Sequence, residues 1–79
     1  MNYPNRRLKL VLTRDWHQFN NWLRENEIDN KNERVVYVGR LQDILGLQKE
    51  NVELIKYGEW YGNEKGLEAI ERVYPELLT

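Results

Sequence analysis

The sequence predicts an α/β domain: a small three-stranded parallel sheet with three helices. Three observations predict it. Val35-Val36-Tyr37-Val38 is an uninterrupted apolar run of β-branched and aromatic residues bounded by polar sequence, the pattern of a strand buried on both faces. Two further strand patterns, Leu8 to Leu12 and Val52 to Tyr57, lie before and after it. Helical periodicity fills the intervals, so the order is β-α-β-α-β-α, and parallel strands joined in this way need crossover helices.

Residues 1–7 are polar, include Pro4, and read as a flexible arm of a single domain spanning 1–79. Leu8-Lys9-Leu10-Val11-Leu12 alternates around Lys9, a strand with one face well buried and the other partly so. Thr13 and Asp15 both suit the N-cap of a helix running from about Asp15 to Asn26. On that helix Trp16, Phe19, Trp22 and Leu23 fall within an arc of roughly 120° and form one core stripe. His17 falls off the stripe, on the side of Arg24, and Ile28 packs as the chain leaves the helix.

After the Val35–Val38 strand, Leu41 to Leu45 reads as a short helix closed by Gly46 at C′, with Leu47 supplying the usual hydrophobic contact. The third strand carries Glu53 and Lys56, which suit an edge. Asn63 caps a last helix in which Leu67, Ile70, Val73 and Tyr74 share one face, and Pro75 ends it. Residues 76–79 form a tail whose leucines can fold back. Val35–Val38 carries no charge, whereas the other two strands carry Lys9, Glu53 and Lys56. That contrast favours spatial order 1-2-3, a half-Rossmann-like unit, with 2-1-3 as the alternative.

Composition narrows function more by what is missing than by what is present. The chain has 79 residues, 41% hydrophobic and 32% charged, with 12 basic and 13 acidic residues giving a net charge of −1. No global field draws it to nucleic acid or an anionic membrane. There is no cysteine and no serine, threonine occurs only at Thr13 and Thr79, and His17 is the lone histidine. Thiolate zinc sites and thiol nucleophiles are therefore excluded, and a hydroxyl nucleophile with its base would have to be Thr13 with His17. Asp15 and His17 stand two apart on a helix and do not face each other. The expectation is a non-enzymatic protein with no metal and no cofactor. Without disulfides, a signal-peptide h-region or a membrane-spanning segment, it is expected in the cytoplasm.

In open parallel sheets ligands meet the carboxyl ends of the strands. That edge gathers Thr13, Arg14 and Asp15, then Gly39 and Arg40, then Gly58 to Gly62. The Gly58–Gly66 loop matches no phosphate-binding spacing and carries Glu59 and Glu64, so its glycines read as turn formers. Trp60 and Tyr61 are adjacent in a loop, and one small core cannot easily bury both. Trp60 is either a lid on the core or a contact, and Tyr61 is a contact. Candidate partner-binding residues are Trp60, Tyr61, Glu59, Arg40 and Arg14. The expected partner is a protein, including a second copy of the chain. A nucleotide or nucleic acid held by Arg6, Arg7, Arg14 and Arg40 is the alternative.

The layout of a strand ending in Leu12-Thr13-Arg14, a helix with Phe19-Asn20-Asn21-Trp22-Leu23, the Val35-Val36-Tyr37-Val38 strand and a third strand entering Gly58-Glu59-Trp60-Tyr61 resembles short orphan proteins encoded by bacteriophages. The resemblance implies an accessory role in the cytoplasm of an infected bacterium, by binding a host or phage macromolecule. It carries over no functional residue.

Overall fold

A computed structural model describes residues 8–29, 34–46 and 52–78. Three strands form one parallel sheet: β1 (Leu8–Leu12), β2 (Val35–Tyr37) and β3 (Val52–Lys56). Two α-helices flank it, α1 (Trp16–Glu25) and α2 (Glu64–Val73). The helix predicted over Leu41 to Leu45 is instead a single 3-10 turn at Leu41–Asp43, and the chain then turns through Gly46 at φ +87°. Leu47, expected to pack against that turn, and the arm at residues 1–7 lie outside the described residues.

The spatial order is β2-β1-β3, so β1 is central and the uncharged Val35–Val38 segment forms an edge. The 1-2-3 order is thereby corrected, and the reason is physical. Lys9 stands at the amino end of β1 and is only half-buried; a lysine can lay its stem along apolar surface and keep its ammonium in water. The residues that follow it, Leu10, Val11 and Leu12, are fully buried. Charge on a strand therefore marks exposure at one position, not the rank of the strand in the sheet.

Alternation along β1 divides the core into two layers. Val11 packs with Phe19, Trp22 and Leu23 under α1, while Leu10 and Leu12 pack with Val38, Ile44, Ala69, Ile70 and Tyr74 under α2. After β2, Leu41 and Ile44 join the layer on the α2 side. Leu77 and Leu78 fold back onto the same layer from a 3-10 turn at Pro75–Leu78.

Both helix starts follow from their caps. Asp15 Oδ1 accepts from the Gln18 amide at 3.0 Å, and Asn63 Oδ1 accepts from the Gly66 amide at 2.9 Å. The end of α1 is a Schellman motif: the Ile28 amide donates to Leu23 O at 2.9 Å and the Glu27 amide to Arg24 O at 3.2 Å. Glu27 occupies the position that favours glycine, at φ 55°. Glu27→Gly is expected to stabilise the domain by about 0.5–1 kcal/mol. A lower midpoint in chemical denaturation than wild type would overturn that expectation.

Trp16 departs from its expected place on the core stripe. Phe19, Trp22 and Leu23 are buried, but Trp16 is 55% exposed. As the first residue of α1 it stands at the carboxyl end of the sheet, where the layer beneath the helix runs out. Its ring packs edge-on against Tyr37 at 5.3 Å and tilted against Phe19 at 5.1 Å.

Candidate functional site

At the carboxyl edge of the sheet the turns after β1 and β3 part to opposite faces, toward α1 and α2. In open α/β sheets such a divergence opens a ligand crevice. Here the chain's own polar side chains fill it. Gln18 Oε1 accepts from the Arg14 amide at 3.0 Å and from the Glu59 amide at 3.1 Å, so one side chain of α1 ties both turns together. Gly58 permits this approach: it sits at φ +65°, and a Cβ there would lie 2.6 Å from Gln18 Oε1.

Deeper in, Asn63 is 8% exposed and makes three bonds. Its Nδ2 donates to Thr13 O and to Val38 O, each at 2.8 Å, while Oδ1 caps α2. The carbonyls at the ends of β1 and β2 are thus joined to the start of α2 by one amide. Gly66 completes the joint, because a Cβ there would meet Asn63 Nδ2 at 2.7 Å and Val38 O at 2.8 Å. The Gly66 amide at the start of α2 is already engaged by the Asn63 cap.

Above this joint the rim is charged and aromatic. Arg14 Nη1 pairs with Glu59 Oε1 at 2.6 Å and its Nε reaches Asp15 Oδ2 at 3.4 Å. The hydrogen bond from the Gln18 amide, and next the Arg14 charge, hold the Asp15 carboxyl below its ordinary pKa against some desolvation. Trp60 opens a 3-10 turn at Trp60–Gly62, packs in part against the α2-side core, and receives Lys56 Nζ at 4.7 Å from its ring centre. Tyr61 stacks edge-on against Trp60 at 5.8 Å and is 64% exposed. Of the two adjacent aromatics, one is fixed by the core and the other stands in solvent.

A scan of protein-family models and searches of curated proteins and of solved structures find no match to this chain.

The sequence-predicted residues fall into two groups. Arg14, Glu59, Trp60 and Tyr61 gather on the turns that Gln18 joins. Arg40 stands apart: its Nε faces Asp43 Oδ1 at 3.9 Å, and Asp43 Oδ2 accepts from the Gly39 and Arg40 amides at 2.9 and 3.0 Å. Arg40 also lines a cavity of about 210 Å³ with Leu41, Lys65, Glu68, Ala69 and Arg72. His17 is exposed on α1, and no described group of three or more histidine or acidic side chains could hold a metal. Among the described residues no helix is long and apolar enough to cross a membrane.

Sequence reasoning missed Gln18, Asn63 as a joint, and Trp16 as an exposed ring. Asn63 was readable as a cap but not as a donor to two strands, since that role depends on which carbonyls the fold brings to it. Tyr37, beneath Trp16, has its phenol pushed up by desolvation and by the charges of Asp15 and Asp43. This aromatic group lies at the β2 end of the edge, as Trp60 and Tyr61 lie at the β3 end.

Proposed function

We propose that this chain is a small non-enzymatic protein-interaction domain that presents Tyr61 to a protein partner. The observation that carries the reading is the backing of Tyr61: an exposed ring stacked on a tryptophan that the core holds in place. An anchor fixed in advance loses little freedom on binding, and interfaces commonly set aromatic anchors at the centre within a polar rim. The Arg14–Glu59 pair supplies that polar rim. The resemblance to short bacteriophage-encoded proteins implies an accessory role in the host cytoplasm, with a host or phage macromolecule as partner.

Two substitutions test it. Tyr61→Ala is expected to leave unfolding free energy within about 0.5 kcal/mol of wild type and to remove about 2 kcal/mol or more of affinity for a protein recovered from bacterial lysate. Trp60→Ala is expected to cost about 2–3 kcal/mol of stability, below the ~3–5 of a fully buried tryptophan because the ring is half-exposed. The proposal fails if no lysate protein binds saturably, or if Tyr61→Ala binds it as well as wild type.

One observation supports a second reading as a nucleotide or nucleic-acid binder. Arg40, Lys65 and Arg72 surround the cavity over α2, and only Glu68 there opposes them. Arg14 contributes less to this reading, since phosphate would have to displace Glu59. Affinity for oligonucleotides that falls steeply with salt would favour it.

A further inference from the structure

β2 presents a contradiction that β3 does not. An edge strand leaves a row of backbone donors and acceptors open, and proteins guard such edges with charge, proline or a bulge. The β3 edge carries Glu53 and Lys56. β2 is Val35-Val36-Tyr37, has no charge, and is half-buried at every position. Among the described strands, the one without a charge is on the outside of its sheet, guarded only by its length of three residues.

The pairing shows which groups are open. Lys9 N donates to Arg34 O at 2.8 Å and Val38 N to Val11 O at 3.1 Å, with Lys9 opposite Val35 and Val11 opposite Tyr37. In a parallel ladder this register turns both backbone groups of Val36 toward β1 and both backbone groups of Val35 and Tyr37 outward. Among the described residues nothing pairs with those four groups.

We propose that the chain self-associates through β2, two copies pairing antiparallel about a twofold axis at Val36 to make one six-stranded sheet. The pattern is self-complementary. With Val36 facing Val36 of the second copy, Val35 of each copy stands opposite Tyr37 of the other, and each such pair exchanges two hydrogen bonds. All four open groups of each strand are satisfied, and no charge on either strand opposes the contact.

Side chains match the same register. Val35 and Tyr37 lie on the α1 face and Val36 on the α2 face. Each Val35 meets a tyrosine across the seam, a favourable β-branched and aromatic pair. In this register Arg34 of one copy faces Val38 of the other. Trp16, 55% exposed and packed on Tyr37, adds apolar surface beside the seam on each copy. A strand of three residues makes a short seam, near or below the ~1,200 Å² lower bound of specific interfaces, and the dissociation constant is expected to be micromolar. This inference stands apart from the Tyr61 reading, since β2 and the Trp60–Tyr61 turn are on opposite sides of β1.

The test uses the full chain, which has no native cysteine. Sedimentation velocity across a micromolar concentration series is expected to show a monomer–dimer equilibrium. Val36→Cys is expected to form a disulfide-linked dimer on mild oxidation, because directly opposed residues at a non-hydrogen-bonded antiparallel position stand about 4.5 Å apart, within disulfide reach. Leu54→Cys, on the same face of the opposite edge, is expected to stay unlinked. Val35→Pro removes an outward amide without touching the β1 ladder and is expected to weaken association at least about tenfold. A monomer at every concentration overturns the proposal. So does a dimer linked through Leu54→Cys and not Val36→Cys, a folded Val35→Pro chain that dimerises as wild type, or a Val36→Cys chain that links to a different protein and not to itself.

Discussion

Leu10→Ala is expected to cost about 3–5 kcal/mol of folding free energy, and Val36→Ala about 1 kcal/mol. Leu10 is fully buried in β1, which has a hydrogen-bonded neighbour on each side, and its side chain packs in the layer under α2. Removing it leaves a cavity walled by the backbone of a three-stranded sheet that has little room to collapse. Val36 faces the same layer from an edge strand and is half-buried, so its loss removes less apolar contact and opens to solvent. A domain of this length has a total stability of about 4–12 kcal/mol, so Leu10→Ala approaches complete unfolding. Thermal unfolding reads the contrast directly, at about 4–8 °C per kcal/mol. Equal shifts for the two variants would mean that β1 is not the strand on which the core depends.

That contrast also shows what was legible in the sequence. The three strands, the two long helices and both helix caps follow from local pattern, because periodicity and capping chemistry act over a few residues. Rank within the sheet does not. Val35–Val38 is apolar throughout and Leu8–Leu12 contains a lysine, and a rule equating charge with the edge inverts their order. The rule fails twice for separate reasons. Lys9 stands where its stem can cover apolar surface while its ammonium reaches water. β2 is apolar at an edge, a cost that makes sense if another strand covers it.

The site was legible in the same uneven way. Adjacency of Trp60 and Tyr61 makes it hard for one small core to bury both, and that argument needs no fold. Arg14 and Glu59 are 45 residues apart, and their pairing depends on the turns after β1 and β3 meeting at the same end of adjacent strands. Trp16 satisfies the helical stripe as well as Phe19 does. Only the finite length of the layer beneath α1 separates the buried ring from the exposed one.

Asn63→Asp is expected to destabilise the domain more than Asn63→Ala, against the usual order of N-cap residues. Aspartate and asparagine are about equal as caps, and alanine is worse than either. At this position the cap is only one of three bonds. The side-chain nitrogen of Asn63 donates to Thr13 O and Val38 O, and both acceptors are backbone carbonyls that can make no use of a second acceptor. Alanine leaves the two carbonyls and the Gly66 amide without their partner, at a cost of about 2–4 kcal/mol, and leaves space that water can enter. Aspartate keeps the bond to Gly66 but sets a carboxylate oxygen against two carbonyl oxygens in a site only 8% exposed. The folded state then disfavours the charged form, so the folded pKa of the new carboxyl lies above its unfolded value of about 3.9. Its sign follows: relative to wild type, the Asn63→Asp deficit is full above the folded pKa and shrinks as pH falls through it toward the unfolded pKa, where a protonated carboxyl can donate to one carbonyl. Asn63→Ala carries no such dependence. Urea unfolding of both variants at neutral and mildly acidic pH separates the cases. An Asn63→Asp chain within about 1 kcal/mol of wild type at neutral pH would show that the amide does not join the strand ends and serves only as a cap.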